Sequence, residues 1–493
     1  MSKEGQVLKD IRFYSASILL TQVVSVVAAV LTRRFLGPTQ MGVWAFLQVL
    51  LNYTEYSALG VITAAALEIP LYNGRGNIEK SRHITNIAFS FAFLSSFVVA
   101  TGMIVYAFFK KETLSKELFY GLLMGAAFVL LQRFSGLVIT IVRANKQFAM
   151  AGQQMFYSSI LNVLLITFFS YRFKIYGFLV AMALGLLFNI IYLVWRAELR
   201  FRFVSDWVGM GGLVRYGFPL MTIGFVTTIF DTLDPLFITR FLGFKTLGLY
   251  SVALMTTNYL NGVPNSVGIV TISHLQEKYG ATEDKTDLRQ YLRKVDIGYG
   301  ILMAVLIGAA WFLAPWLIRL FLPEFIGGIP SLQYLALSTY FTALAQGYSQ
   351  LIYVIRKHNV LLVLISIACV VAVATNALAL YIGYGVTGIA VATIFASFFY
   401  FTLLFFYGSL QVETLFEAFR RYLGLMGFFL VMSGLLFGVD HWIVTPSLVI
   451  TPWVKTAVFA LFLSPLLWLL DQEFGLSTLW PFRIFIRKKM DSV

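Results

Sequence analysis

The sequence predicts an all-α polytopic membrane protein of about fourteen transmembrane helices. Two parallel six-helix repeats are expected to form two lobes, followed by two extra C-terminal helices. Three observations predict this: charge is scarce, apolar runs of membrane-crossing length recur from end to end, and the chain repeats itself.

Of the 493 residues only 12% are charged while 59% are hydrophobic, giving a mean hydropathy of +0.81. A water-soluble domain carries roughly 25% charged residues, and an oversized core cannot close that gap. Runs of about 20 apolar residues suit the ~30 Å hydrocarbon layer. They fall near 12–32, 41–63, 84–108, 117–141, 149–171, 175–195, 213–238, 246–270, 296–320, 330–355, 359–382, 386–408, 422–439 and 454–470. Lys3, Lys9 and Arg12 precede the first run as they would in a signal peptide. That run is longer than a signal h-region and leads straight into the repeat, so it is expected to remain as an uncleaved first span. The connections are short, the longest being a charged loop expected at 273–295. Function is therefore expected among the helices, in an N-terminal lobe (1–200), a C-terminal lobe (201–408) and an appendix with a basic cytoplasmic tail (409–493).

The net charge of +14 is spread over connections between spans, which fits the positive-inside rule and not a nucleic-acid partner. With a cytoplasmic N-terminus, 25 of the 37 Lys and Arg residues fall on the inner side and 11 on the outer, while Arg133 lies within a span. This asymmetry places both termini in the cytoplasm. The single cysteine, Cys369, excludes a disulfide framework and a cysteine metal site. His83, His274, His358 and His441 fall in expected loops, far apart, without metal-ligand spacing. No Walker motif or glycine-rich phosphate loop is present, so direct use of ATP is not expected.

Self-similarity carries most of the information. Arg34-Phe35-Leu36-Gly37 followed by Gly42-Val43-Trp44 returns as Arg240-Phe241-Leu242-Gly243 followed by Gly248-Leu249-Tyr250, an offset of 206; Asn52-Tyr53 returns as Asn258-Tyr259. Beyond the 273–295 region the offset becomes 214, and Gln132, Ser135, Asn145 and Asn162 return as Gln346, Ser349, Asn359 and Asn376. Six spans, an even number, separate the copies, so both run in the same direction through the membrane, as in several transporter architectures. A cleft between two such lobes is the expected pathway.

Polar residues recur at helical spacing within the spans. Gln48, Asn52, Glu55 and Tyr56 share one face of the second span, and Asn258, Asn261 and Asn265 answer from the eighth. Gln132, Arg133 and Ser135 lie in the fourth, and Gln346, Ser349, Gln350 and Tyr353 in the tenth. Such groups either tie helices together, at about 0.6 kcal/mol each, or line a wet cavity suited to hydroxyl groups and sugar faces.

Ionisable groups are costlier at membrane depth, about 2.5–3.5 kcal/mol or more each. Glu55 and Arg133, both in the inner-leaflet half, form either a structural ion pair or a site in which Arg133 meets an anionic head group and Glu55 tunes it. Asp231 and Asp234 sit three residues apart, and Pro235 withdraws a backbone donor from the carbonyl of Asp231. They make either a proton or cation site at a bent helix or, for Asp234, a simple partner for Arg240 or Arg33. The first copy holds Ser25 and Ala28 at the equivalent places, so such a site is asymmetric. Arg33, Arg34 and Arg240 are snorkelling anchors at the outer ends of their spans or an exit site whose guanidinium forks match phosphate oxygens.

Arg34-Phe35-Leu36-Gly37-Pro38…Gly42-Val43-Trp44, then Arg215-Tyr216-Gly217-Phe218-Pro219, then Asp234…Gly243…Gly248-Leu249-Tyr250-Ser251-Val252-Ala253 resemble the polysaccharide flippases of the multidrug/oligosaccharidyl-lipid/polysaccharide exporter (MOP) superfamily. The likeness extends over essentially the whole chain. It implies a bacterial inner-membrane protein that moves a polyprenyl-pyrophosphate-linked oligosaccharide to the outer leaflet by alternating access, for O-antigen, capsule or exopolysaccharide assembly. It also implies work alongside a polysaccharide polymerase or export machinery. Under this reading Arg133, Glu55, Asn52, Gln48, Asn258, Asn261, Gln346, Arg34 and Arg240 face substrate, and Asp231 and Asp234 couple transport to H+ or Na+ without any organic cofactor or metal. Two departures stand out: the first span has no arginine in its interior, unlike lipid II flippases, and the first lobe lacks the multidrug cation-site pattern. A multidrug cation antiporter predicts an anionic cavity, against which Arg133 and the outer arginines argue. A glycan polymerase or ligase needs catalytic groups on a sizeable outer loop, and the outer loops are short.

Overall fold

A computed structural model describes residues 3–282, 285–443 and 449–474. The basic tail with Arg483, Arg487, Lys488 and Lys489 lies outside the described residues. Among those described, no strand is present. Hydrocarbon admits only structures that bond their own backbone groups, and runs of about 20 apolar residues do so as helices.

The helices are α1 (Lys3–Thr54), α2 (Val61–Gly74), α3 (Ile78–Phe109), α4 (Lys116–Ala144), α5 (Phe148–Arg196), α6 (Trp207–Phe241) and α7 (Gly243–Thr282). They continue as α8 (Lys285–Phe321), α9 (Ile329–Val354), α10 (His358–Tyr381), α11 (Gly385–Ser409), α12 (Leu415–Trp442) and α13 (Ile450–Phe474). Nine of these, among the described residues, contain stretches long and apolar enough to cross a membrane. Two of the nine are double. Gly37, at φ 70°, ψ 174°, breaks α1 ahead of Pro38, and Lys174, at φ 53°, breaks α5. Dividing α1 and α5 there, and counting α2 with the second half of α1, recovers the fourteen expected segments in order.

The chain falls into two compact units. One comprises residues up to Met255 with Phe321–Gly328 and Ile365–Ile389; the other comprises Thr256–Leu320, Ile329–Leu364 and Ala390 onward. In the first unit α1 packs along α5, α4 lies against α3 and α5, and α2 is held by α3 and α6. Small residues set the closest approaches. A Cβ at Gly42 would stand 1.8 Å from the carbonyl oxygen of Phe244, and one at Gly248 would stand 1.7 Å from that of Pro38. The duplicated glycines thus mark a crossing of the two repeat motifs, where backbones meet as at small-residue membrane interfaces. Gly37 and Gly243 both take positive φ, 70° and 82°, which only glycine adopts freely.

In the second unit α9 is buried along most of its length. Its Phe341 meets Phe429 of α12 at 4.5 Å between centroids. Thr414 and Glu417 form a reciprocal capping box at the start of α12, satisfying amides that a helix end leaves without partners.

Three expectations are corrected. The second span is not continuous over 41–63: it gives way to a 3-10 turn at Glu55–Ala58, and Leu59 and Gly60 take left-handed conformations. Most of the loop expected at 273–295 is helical, since α7 runs to Thr282 and α8 starts at Lys285; polar helix ends project past the apolar spans and carry no hydropathy signal. The four histidines lie within helices and not in loops.

The glycine crossing yields a stability prediction. Gly42→Val is expected to cost about 1–3 kcal/mol or more, since overpacking forces backbones apart. Thermal denaturation of detergent-solubilised protein would show a lower midpoint, whereas Gly102→Val, at an open position, should leave it nearly unchanged.

Candidate functional site

The break after α1 creates the site. A helix that stops at membrane depth leaves carbonyls without donors, and unsatisfied groups there cost several kcal/mol each. Arg133, on α4, supplies the donors. Its Nη1 donates to the carbonyl oxygen of Glu55 at 2.7 Å; its Nη2 donates to the carbonyl oxygen of Thr54 and to Ser57 Oγ at 3.2 Å. The Glu55 carboxylate instead accepts from Gln132 Nε2 at 2.8 Å. The guanidinium therefore bonds the backbone of the break and the Ser57 hydroxyl, while the carboxylate beside it is held by an amide.

Around this junction lies a cavity of about 330 Å³, bounded by Glu55, Tyr56, Gln132, Arg133, Thr140 and Gly224, among others. Its volume sits at the lower end of the ~300–1,000 Å³ range of ligand sites. Gly60 lets the turn approach α6 closely: a Cβ there would stand 2.3 Å from the backbone of Gly217. Tyr56 donates to the carbonyl oxygen of Gly224 at 2.8 Å and bonds Thr228, while Tyr53 bonds Thr232 at 2.6 Å. Gln48 is exposed and Asn52 half-buried on the same helix.

Asp231 and Asp234 differ sharply. Asp234 is buried and accepts from Tyr250 Oη at 2.7 Å and from Asn376 Nδ2 at 2.9 Å. Asp231, one turn earlier, is exposed. Arg33 is buried and donates to the carbonyl oxygen of Ser251 at 2.9 Å. Arg34 is exposed. Arg240, also exposed, lies over the ring of Phe241, its guanidinium 5.9 Å from the centroid.

The second copy repeats the polar pattern without the charges. Thr342 donates to Asn261 at 3.0 Å, Gln346 donates to Asn265, and Asn258 is exposed. At the 206 offset Asn261 stands where Glu55 does, and at the 214 offset Gly347 stands in the place of Arg133.

A family model described as polysaccharide biosynthesis protein matches residues 7–272, more than half of the chain. The chain belongs to this family. No curated protein sequence matches it. Among solved structures, an inward-facing multidrug resistance MATE family transporter of the MOP superfamily superposes with a TM-score of 0.70 at 15% identity, over 79% of this chain and 94% of that one. The lipid II flippase MurJ, in an inward closed conformation, gives 0.65 at 14% identity over 92% and 99%. A MOP superfamily transporter from Pyrococcus furiosus gives 0.61 at 15% identity over 84% and 98%. This member of the polysaccharide biosynthesis family is thus a multi-pass membrane protein with the fold of MOP-superfamily transporters.

Sequence reasoning missed a second charged cluster in this family member. Asp296, 2% exposed, meets Arg421 Nε at 3.1 Å and accepts from Tyr348 Oη at 2.9 Å. Arg421 also pairs with Glu413 at 3.3 Å and donates to Ser409 Oγ at 2.6 Å. Asp296, Arg421 and Glu413 border a cavity of about 530 Å³ with Arg293, Arg420, Tyr340 and Phe428. Arg420 and Arg421 read as ordinary loop charges. The i, i+4 spacing of Glu417 and Arg421 on α12, with Glu413 just ahead of the helix, was the signal available.

The 197–206 segment was also unremarked. Asp206 caps α6, accepting from the Gly209 amide at 2.8 Å, and bonds His83 Nε2 at 2.8 Å. The amide bond first, then His83, holds its carboxyl below the usual carboxylate range.

Two outcomes are expected. Because the folded-state pKa of Asp206 is depressed, this anchorage is present above the ordinary aspartate value of about 3.9 and lost as pH falls through the folded value. Protection of the Gly209 amide from hydrogen exchange should hold at pH 5–7 and fall away below pH 4, and in Asp206→Ala it should be low throughout. Arg133→Met should lower stability by about 1–3 kcal/mol, the cost of buried acceptors left unsatisfied, with Arg133→Lys recovering part of it in thermal denaturation.

Proposed function

We propose that this protein is a flippase that carries a polyprenyl-pyrophosphate-linked oligosaccharide from the cytoplasmic to the outer leaflet of a bacterial inner membrane. The observation that carries the reading is the cavity walled by buried Arg133, Gln132, Glu55 and Tyr56. A lone guanidinium among amides and hydroxyls suits a ligand whose phosphates are anionic and whose neighbouring sugars are polyhydroxylated. Membership of a family described by polysaccharide biosynthesis supplies the glycan. The name of one structure with this fold, the lipid II flippase MurJ, supplies the lipid carrier.

Both termini lie in the cytoplasm on this reading, by the distribution of Lys and Arg. The lobes 1–200 and 201–408 alternate access to the head group, and the apolar tail stays in lipid. Gln48, Asn52, Asn258, Asn261 and Gln346 meet sugar hydroxyls, and Arg34 and Arg240 receive phosphate on the outer side. Exposed Asp231, beside buried Asp234, takes up H+ or Na+ during the cycle. The glycan is then polymerised or exported by other machinery.

The alternative of a multidrug cation antiporter draws on the exposed carboxylates of Asp231 and Glu55, which suit cations.

Sealed liposomes bearing the protein and a polyprenyl-pyrophosphate oligosaccharide test the proposal. External glycosidase should trim the inward-facing pool as it is flipped, well beyond the trimming in empty vesicles. No excess trimming, together with binding of a cationic dye to purified protein, would overturn the flippase in favour of the antiporter. Asp231→Asn should abolish stimulation by an imposed ion gradient while leaving slow, gradient-independent flipping; undiminished stimulation removes the coupling role.

A further inference from the structure

Arg133 borders two cavities of opposite character. The first is the polar one already described. The second, of about 320 Å³, lies along α3 and α4 and is walled by Phe89, Phe93, Leu130, Phe134 and Phe203, with Arg133 at its edge. Its walls are almost wholly apolar. Ser96 lines it too, but the Ser96 hydroxyl donates to the carbonyl oxygen of Ala92 at 2.6 Å and offers the cavity no free donor.

The aromatic walls are mutually packed. Phe89 stacks on Phe201 at 4.9 Å and meets Phe134 at 5.6 Å, and Phe203 stands edge-on to Phe93 at 5.3 Å. Phe201 and Phe203 belong to the non-helical segment between α5 and α6. Asn86 and Ser90 hold that segment on α3, accepting from the amides of Arg202 at 3.1 Å and Val204 at 2.9 Å. Phe93 and Phe203 remain 47% and 67% exposed, so the apolar cavity opens on the surface of the unit. Arg133 itself is only 9% exposed, and its Nε has no acceptor. A buried charged donor without a partner costs free energy, and a phosphate oxygen reaching this junction would relieve that cost.

We propose that the apolar cavity is the binding site for the diphosphate-proximal part of the substrate's isoprenoid chain, with Arg133 at the diphosphate that joins chain to glycan. The inference rests on the flippase reading above and gives that substrate a direction. A lipid-linked oligosaccharide has three zones in fixed order: a polar glycan, an anionic diphosphate and an apolar chain. The first unit presents the same three in the same order: the polar cavity, the Arg133 guanidinium and the aromatic cavity. A phospholipid acyl chain shares only the apolar zone, with its own phosphate several ester and glycerol bonds away from the tail.

The test uses full-length protein in phosphatidylcholine nanodiscs and a geranylgeranyl pyrophosphate with a diazirine on its first isoprene units. After irradiation, adducts mapped by mass spectrometry should concentrate on 89–96, 130–137 and 201–203. Excess unlabelled geranylgeranyl pyrophosphate should reduce them at least fivefold. Geranylgeraniol with the same diazirine, lacking the anion, should label at least fivefold less. Leu130→Trp, which adds bulk at a half-buried wall, and Phe203→Asp, at an exposed position, should each cut labelling at least threefold. Two different variants separate blocking of the cavity from any folding defect in one of them. Equal labelling by the alcohol, or by a diazirine phosphatidylcholine, would show a general lipid surface and overturn the inference. So would adducts confined to other helices. The glycosidase assay keeps the two readings apart: flipping without adducts here sinks the chain site and retains the flippase, whereas adducts here without flipping retain the chain site and sink the flippase.

Discussion

A helix can stop inside hydrocarbon only if something else bonds the carbonyls it abandons, and in the first unit that duty falls to Arg133. The guanidinium fork reaches the carbonyls of Thr54 and Glu55 together, a geometry that an ammonium on a flexible stem does not match. The 3-10 turn, the left-handed Leu59 and Gly60 and the fresh start at α2 all follow from tolerance of that break. The cavity beside the break exists because α2 departs from the line of α1, and its polar wall exists because the break put polar backbone there. A single buried cation thus closes the break and lines the cavity beside it, which offsets the cost of a charge at membrane depth.

The internal repeat separates what this helical scaffold needs twice from what it needs once. Backbone devices are duplicated: Gly37 and Gly243 turn with positive φ, and Gly42 and Gly248 stand where the repeat motifs cross. Asn162 and Asn376, at matching positions, each hold a buried carbonyl oxygen without a donor. Arg34 returns as Arg240 at the ends of their spans, but the charges deeper in the spans are not duplicated. Glu55 answers to Asn261, Arg133 to Gly347, Asp231 to Ser25 and Asp234 to Ala28. Close packing of helices is a property of small side chains and survives duplication. A charge at membrane depth is tolerated only where its surroundings accommodate it, so each of these four stays with one copy.

Legibility from sequence followed the range over which each signal acts. Span number and order were readable because about 20 apolar residues in a row have one good solution in a bilayer. The Glu55–Arg133 neighbourhood was also readable, since two ionisable groups at membrane depth are rare enough to draw attention. Their bonding was not: an ion pair is the natural expectation for opposite charges, but the nearest unsatisfied acceptors were backbone carbonyls created by a helix break that hydropathy cannot register. Asp296 escaped notice because its burial depends on Arg421, more than a hundred residues away, and a residue at the edge of a span looks solvated until its partner is placed.

By itself the sequence determined the all-helical membrane class, the parallel repeat and the identity of the few residues that could carry charge into the bilayer. These depend on composition and local periodicity, which the solvent reads directly. Only the tertiary structure decided what those charges do. It spent the Arg133 fork on the turn, gave Asp234 to Tyr250 and Asn376, and left Asp231 exposed. It also laid Phe201 and Phe203 over α3 to form an apolar cavity beside a polar one. Each of these outcomes is set by hydrogen bonds and packing between segments distant in sequence, where distance and desolvation, and not residue type, fix which interaction wins.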